Sequence, residues 1–194
     1  MDELVAVLTE ARALGFLGTG SLDEQLAISL RFAEHLPRTG SILDLGSGGG
    51  VPAFGAARVL PDTRWTLVER SQTRADNLAR WARRLGVDDR VAVECDDAVV
   101  GAHHPDHRGR YDSVTARGFA APEVTAEVAV GFLRVGGHLV VSQSDTTKPE
   151  WDSVVSMGSL GLVSLVDRGS IRVLELVTPA GQGIPRRRLS RRGA

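Results

Sequence analysis

Residues 44–52 read Asp44-Leu45-Gly46-Ser47-Gly48-Gly49-Gly50-Val51-Pro52, and this loop carries most of the information about the fold. It follows a short apolar run that predicts a buried strand, and it precedes a predicted helix of residues 51–60. Gly46, Gly48 and Gly50 stand at alternate positions, where glycine permits positive φ angles and lets a ligand approach the backbone closely. The pattern therefore predicts a ligand-binding loop between a strand and a helix.

The spacing of the glycines distinguishes this loop from two phosphate-binding loops. In the dinucleotide pattern G-x-G-x-x-G, the third glycine would fall on Val51 or Ala53. A P-loop is excluded because no Gly-Lys-Ser/Thr follows. The pattern D-x-G-x-G-x-G is instead typical of class I methyltransferases that bind S-adenosylmethionine, although a purely structural glycine turn also fits it. The residues of the loop that we predict to bind this cofactor are Asp44, Gly46, Ser47, Gly48 and Gly50.

Short apolar runs alternate with amphipathic segments from Ser41 onwards, which predicts parallel strands with helices on both faces of a sheet. Two helical segments precede this region, and Ser21-Leu22-Asp23-Glu24 predicts a capping box at the start of the second. The last two predicted strands are close enough in sequence to pair antiparallel. We therefore expect an α/β fold: a Rossmann-like, mostly parallel seven-stranded sheet with one antiparallel edge strand. The expected organisation is a single domain, residues 1–194, with an N-terminal helical cover (1–38), a core (39–178) and a basic tail (179–194).

Acidic residues follow the second and third predicted strands. Ligands of parallel α/β sheets bind at the carboxyl ends of the strands. Glu69 ends the second strand, where its carboxylate can accept hydrogen bonds from both hydroxyls of a ribose, although a solvated charge is the alternative. After the third strand, Asp97 can accept from an adenine amino group, and Ala98 and Val99 can offer main-chain contacts.

Composition excludes several other classes of protein. With 194 residues, 42% of them hydrophobic, the chain can bury a core without metal or disulfide links. The one cysteine, Cys95, excludes a disulfide framework, and we expect it to end a buried strand. No apolar run approaches the ~20 residues of a membrane span, and the N-terminal sequence lacks the pattern of a signal peptide, so we expect a cytoplasmic protein. His103, His104 and His107 are predicted to be solvated, and no metal site is expected.

The net charge of −1 hides an uneven distribution. Residues 186–194 contain Arg186, Arg187, Arg188, Arg191 and Arg192, so the rest of the chain is acidic. A basic end of this kind is either a passive solvated tail or an arm that binds phosphates, whose oxygens match the arginine guanidinium.

Four motifs resemble those of the bacterial guanine-7 methyltransferases of small-subunit ribosomal RNA, from about Ser21 to the C-terminus. The loop DLGSGGGVPA (residues 44–53) is similar to the family's D-V-G-S-G-x-G-F-P-G. Residues 111–120, YDSVTARGFA, resemble its F-D-x-V-x-S-R-A-F-A. Residues 133–137 resemble its L-K-P-G-G turn, and residues 184–187 its Y-P-R-R ending.

This resemblance implies methylation of the seven-nitrogen of a guanine in 16S ribosomal RNA, with the RNA or the small ribosomal subunit as partner. It implies that Val51, Ala98, Val99 and Arg117 contact the cofactor region, with Arg117 also positioning the target base, and that Arg186, Arg187 and Arg188 bind RNA. No general base is expected, since the guanine seven-nitrogen carries an unprotonated lone pair and positioning supplies the catalysis. We expect a monomer. The alternative is a class I methyltransferase that acts on a small molecule or a protein.

Overall fold

A computed structural model gives the structure of residues 3–187. Within this part the chain forms seven helices and seven strands, which alternate from β1 to β6, and β7 follows β6 directly. The helices are α1 (Glu3–Ala13), α2 (Leu22–Ala33), α3 (Ala53–Val59), α4 (Gln72–Arg84), α5 (Ala98–Gly101), α6 (Pro122–Phe132) and α7 (Lys148–Met157). The strands are β1 (Gly40–Leu45), β2 (Thr63–Val68), β3 (Val91–Glu94), β4 (Tyr111–Ala116), β5 (Leu133–Ser142), β6 (Leu162–Arg168) and β7 (Ile171–Leu176).

The seven strands form one sheet in the order β3-β2-β1-β4-β5-β7-β6. Strands β1 to β5 pair in parallel, whereas β7 is antiparallel to both of its neighbours. The predicted α/β fold with a mostly parallel seven-stranded sheet is therefore confirmed. Strand order reverses next to β1, because the chain crosses from β3 at one edge to β4 on the far side of β1.

The position of the antiparallel strand differs from the prediction. We expected it at an edge, but β7 lies between β5 and β6, and β6 forms the edge. The sequence of β7 explains this, since five of its six residues, including Arg172, are buried. A strand buried on both faces belongs inside a sheet, whereas β6 leaves Val163 and Leu165 exposed.

Alternating strand residues pack into two cores, one on each face of the sheet. One core joins Ile42 and Leu67 to α1, α2, α3 and α4. The other joins Leu43 and Leu139 to α5, α6 and α7. Neighbouring residues such as Ile42 and Leu43 enter different cores because side chains alternate across a strand.

The predicted capping box at the start of α2 is confirmed. The backbone N–H of Glu24 donates to Ser21 Oγ at 3.2 Å, and the N–H of Ser21 donates to Glu24 Oε2 at 2.6 Å. The prediction for Cys95 is wrong, because its side chain is exposed. Strand β3 lies at the edge of the sheet and Cys95 follows its last residue, so no further strand covers it. Within residues 3–187, no helix combines the length and apolar character needed to cross a bilayer.

Candidate functional site

A cleft of about 780 Å³ opens at the carboxyl ends of the first four strands. Part of its wall is formed by residues that follow these strands: Gly46 after β1, Glu69 after β2, Asp96 to Val99 after β3 and Gly118 to Ala121 after β4. The cleft therefore lies where the order of the strands reverses, which is where open parallel sheets bind ligands.

The glycine loop adopts the backbone conformation that its sequence predicts. Gly46, Gly48 and Gly50 have φ angles of +64°, +51° and +84°, a region that L-residues with a Cβ atom rarely adopt. At Gly46 the lack of a side chain is also a packing requirement, because a Cβ atom would lie 2.9 Å from the Phe119 ring. The loop thus brings its backbone against an aromatic ring in the wall of the cleft.

Part of the glycine loop is covered by the connection between α1 and α2. A Cβ atom at Gly49 would lie 2.4 Å from the Leu17 side chain, and one at Gly48 would lie 3.4 Å from the Phe16 carbonyl oxygen. Of the predicted loop residues, Gly46 is among the described residues that line the cleft, whereas Asp44, Ser47, Gly48, Gly50 and Val51 are not. The N-terminal helices thus reach the site through this connection.

Glu69 links the glycine loop to the next strand. Its side chain is buried, with 5% exposed, yet it lines the cleft. Oε2 accepts a hydrogen bond from the Gly48 N–H at 3.1 Å, and Oε1 accepts one from the Ser71 N–H at 2.9 Å. Each carboxylate oxygen has two lone pairs, so one acceptor position remains on each oxygen for a ligand hydroxyl.

Asp44 lies beneath the loop rather than in the cleft wall. It is 1% exposed, and its Oδ1 accepts a hydrogen bond of 2.6 Å from Thr115 Oγ1 on β4. Among the described residues, Oδ2 has no hydrogen-bond partner. Burial raises the pKa of this carboxyl from 3.8 to about 6, and the Thr115 and Ser47 hydroxyls and the Arg117 charge offset only part of that rise.

Arg117 follows β4 and contacts helix α2. Its Nη1 donates to Gln25 Oε1 at 2.6 Å, which ties the end of β4 to helix α2. Burial lowers the pKa of this guanidinium, and the nearby Asp44 charge opposes that shift. Arg117 is absent from the residues that line the cleft, so its predicted role toward cofactor and base stays a prediction.

The segment after β3 combines a polar cap with an apolar wall. Asp97 is the N-cap of α5, and its Oδ1 accepts from the Val99 N–H at 2.8 Å. Asp97, Ala98 and Val99 all line the cleft, as predicted from their place after the strand. Phe119 faces the same cleft, so a flat apolar ring can be enclosed between the two strand ends.

The three arginines predicted to bind RNA have different surroundings. Arg186 lines the cleft, but its guanidinium is held by the buried carboxylate of Glu127. Arg187 is exposed, and Arg188 lies outside the described residues. Arg186 is therefore paired within the protein while its side chain stays 61% exposed, and its contact with RNA stays a prediction.

Several residues of the cleft were not predicted. Arg70 follows β2, Arg74 belongs to α4, and Glu123, Val124 and Val128 belong to α6. Position after a strand could have identified Arg70, but the α6 residues reach the cleft only through the packing of that helix. Four acidic side chains, those of Glu69, Asp96, Asp97 and Glu123, line the cleft against three arginines, so its lining is slightly negative.

The histidines near α5 are less exposed than expected. His103 Nε2 lies 2.8 Å from the Pro185 carbonyl oxygen, and His107 bridges the Tyr111 hydroxyl (2.8 Å) and Glu94 (3.0 Å). Both are half-buried, and only His104 is exposed. Across residues 3–187, no group of three or more His, Cys, Asp or Glu side chains is placed to hold a metal ion.

Comparison with known proteins gives consistent matches. The family model described as rRNA small subunit methyltransferase G matches residues 19–157. Proteins of that name from Rubrobacter xylanophilus and a Synechococcus strain are 33% and 34% identical to the chain, over 77% and 76% of its length. The chain spans 59% and 63% of those two relatives.

Solved structures resemble the fold. An O-methyltransferase from Bacillus cereus in complex with SAH has a TM-score of 0.66 at 17% identity and covers 92% of this chain and 91% of its own. An O-methyltransferase family 2 protein from Planctomyces limnophilus has a TM-score of 0.65 at 17% identity, over 91% of this chain and 62% of its own. These likenesses show a Rossmann-like fold.

Proposed function

Since the chain belongs to the rRNA small subunit methyltransferase G family, we propose that it is an S-adenosylmethionine-dependent methyltransferase of 16S ribosomal RNA. The acceptor in this proposal is the seven-nitrogen of a guanine. The observation that carries it is the joint position of the glycine loop and the Glu69 carboxylate at the ends of neighbouring strands. The relatives are named ribosomal RNA small subunit methyltransferase G, and the chain spans about six tenths of their length.

The cleft fits S-adenosylmethionine in three respects. Glu69 offers acceptors for ribose hydroxyls. Ala98, Val99 and Phe119 offer apolar surface for an adenine ring. The slightly negative lining suits a ligand that carries a sulfonium and an ammonium group, because opposite charges attract strongly where water is partly excluded.

The residues of the chain hold the cofactor and the target base in position, and they transfer no proton. Bound S-adenosylmethionine would provide an electrophilic methyl group. The guanine seven-nitrogen presents a lone pair at neutral pH, so holding it in line with that methyl group is enough to promote transfer. Asp44 is buried behind the loop, and Glu69 is already bonded to two backbone N–H groups. Neither carboxylate is therefore needed as a base.

The test is methyl transfer to defined acceptors. Radiolabelled S-adenosylmethionine is incubated with the full chain and with 16S RNA or small subunits from a strain that lacks the corresponding methylation. We expect label in 7-methylguanosine at one position, identified by mass spectrometry. Label in another nucleoside, or transfer only to small phenols or proteins, would reject the proposed acceptor.

A further inference from the structure

A second cavity lies beside the cleft, at the carboxyl ends of β4 and β5. Its volume is about 200 Å³, and residues 118–120 belong to its wall as well as to the wall of the cleft. The rest of its wall comes from the end of β5 and from the first turns of α6 and α7. A ligand in the second cavity would therefore lie next to a ligand in the cleft.

The second cavity differs from the cleft in charge. Among the described residues, none that lines it has a charged side chain, whereas Glu69, Asp96 and Arg186 line the cleft. Pro122 and Trp151 give it apolar surfaces. Its volume is below the ~300 Å³ at which pockets for drug-sized ligands begin, so it suits one small ring system. These properties favour a neutral, flat heterocycle over a phosphate or a carboxylate.

Gln143 follows β5 and brings an unused hydrogen-bond acceptor to the wall of the second cavity. The residue is 8% exposed. Its Nε2 donates to Asp167 Oδ1 at 2.6 Å and to the Gly169 carbonyl oxygen at 3.2 Å. Because both partners are acceptors, the NH2 group faces them and the orientation of the amide is fixed. Within residues 3–187, Oε1 has no hydrogen-bond partner, and a buried acceptor without a donor destabilises a folded chain.

Asp167 on β6 holds the Gln143 amide in place. Asp167 Oδ2 lies 2.9 Å from Lys148 Nζ and 2.9 Å from Arg172 Nη2, and Arg172 is buried in β7. The carboxylate is thus fixed by two cations while its other oxygen binds Gln143. The β6–β7 hairpin therefore sets the position of the amide before any ligand binds.

The turn of residues 144–147 borders the second cavity next to Gln143. The Ser144 N–H donates to Thr147 Oγ1 at 2.9 Å, and Ser144 Oγ lies 2.8 Å from Thr146 Oγ1. Because these bonds lie within the turn, the turn can shift as a unit without losing them. A small shift of the wall is needed, since Gln143 Oε1 is buried, and side-chain shifts of this kind are common on binding.

We propose that the second cavity receives the target guanine and that Gln143 Oε1 accepts hydrogen bonds from its N1–H and 2-amino groups. The inference rests on the proposed function. These donors lie on the edge of guanine away from the seven-nitrogen, so that nitrogen can face the cleft while the donor edge faces Gln143. An RNA base enters such a pocket by leaving its stack and is recognised on this edge. Adenine has a ring nitrogen acceptor and a C–H there, so Gln143 distinguishes guanine from adenine.

Gln143→Met tests this acceptor, because methionine has a similar length and no amide. The full chain, loaded with S-adenosylhomocysteine, is titrated with short RNAs that carry guanosine or adenosine at the position identified by the methyl-transfer test. The ratio of the Kd for the adenosine RNA to the Kd for the guanosine RNA is compared between variants, so a general loss of RNA affinity cancels. Asp167→Asn is the matched control, since it removes the charge beside the amide but keeps an oxygen that can accept from Gln143 Nε2.

We expect a ratio of at least about ten in the unmodified chain and in Asp167→Asn, because adenine leaves the buried acceptor without a donor. In Gln143→Met the ratio should fall about tenfold, while the Kd for S-adenosylhomocysteine changes less than twofold. Gln143→Asn withdraws the oxygen by one methylene group and should lower the ratio in the same direction. This second variant decides the question if Gln143→Met does not fold.

Two results would overturn the inference alone. One is a ratio in folded Gln143→Met or Gln143→Asn equal to that of the unmodified chain. The other is a comparable loss of S-adenosylhomocysteine affinity in these variants, which would place Gln143 in cofactor binding. Failure of the unmodified chain to methylate RNA while it binds the cofactor would instead reject the proposed function, and with it the assignment of the second cavity to guanine.

Discussion

The Glu69 carboxylate accepts a hydrogen bond from the Gly48 backbone N–H at 3.1 Å, across 21 residues of sequence. This contact joins the loop after β1 to the end of β2, so the loop backbone and the Glu69 carboxylate have a fixed relative position. A second bond, from the Ser71 N–H, holds the other carboxylate oxygen. The carboxylate thus has little freedom before any ligand binds, so less conformational entropy is lost when a ligand binds.

Gly48→Val tests the backbone requirement of the loop. Gly48 has φ +51°, so a β-branched residue there costs on the order of 1–3 kcal/mol, and its Cβ would lie 3.4 Å from the Phe16 carbonyl oxygen. We expect calorimetry to detect no S-adenosylmethionine binding at micromolar concentrations. Gly86→Val is the control, because Gly86 has φ +64° and open space around it. That variant should lose a similar amount of stability and still bind the cofactor; micromolar binding by Gly48→Val would contradict the account.

Glu69→Gln tests the carboxylate. An amide presents one oxygen where the carboxylate presents two, so either Gly48 or Ser71 would face an NH2 group instead of an acceptor. Hydrogen bonds to charged groups contribute about 1.5–3 kcal/mol, so we expect S-adenosylmethionine affinity to fall at least about tenfold in a calorimetric titration. Asp96→Asn removes the same charge from the lining of the cleft without touching the loop. An equal loss of S-adenosylmethionine affinity in both variants would show that Glu69 contributes only its negative charge.

The raised pKa of Asp44 predicts that deprotonation of this carboxyl lowers the stability of the folded chain. The folded chain holds this proton up to a pKa of about 6, whereas an ordinary Asp carboxyl has a pKa of 3.8. Stability from the protonated form is therefore fully present below pH 3.8 and is lost as the pH rises through 6, by about 3 kcal/mol in total. Asp44→Asn should gain about that amount relative to the unmodified chain between pH 3 and pH 7 in urea unfolding. A difference that does not vary with pH would show that Asp44 keeps an ordinary pKa.

Arg117→Ala should separate RNA positioning from cofactor binding. The side chain contacts Gln25 and does not line the cleft, so we expect the Kd for S-adenosylmethionine to change less than about twofold. The kcat/KM for RNA should fall about tenfold, through loss of orientation of the target base. Gln25→Leu, which removes the partner but leaves the arginine, is the comparison. An unchanged kcat/KM in Arg117→Ala would show that Arg117 does not position the target base.

Local sequence predicted the features of the site that are encoded within a few residues. The glycine spacing determines the positive φ angles at Gly46, Gly48 and Gly50, because only glycine adopts them without strain. The position of Glu69 and Asp97 after strands places both at the carboxyl edge of the sheet. These predictions succeeded because a parallel sheet aligns its strand ends.

Features that depend on packing between distant segments could not be predicted in the same way. The Arg186–Glu127 contact spans 59 residues, and nothing near Arg186 in sequence indicates that a buried acid holds it. Cys95 was expected to end a buried strand as a small apolar residue, but β3 lies at the edge of the sheet and Cys95 is exposed. Strand β7 lies inside the sheet because it pairs with β5 on one side and with β6 on the other. This pairing with β5 joins segments that are distant in sequence.

A crystal structure of the full chain with S-adenosylhomocysteine tests the central claim most directly. We predict the ribose hydroxyls within hydrogen-bonding distance of Glu69, and the adenine against Ala98 and Val99. A ligand bound elsewhere, with Glu69 contacting only the Gly48 and Ser71 backbone, would contradict the assignment of this cleft.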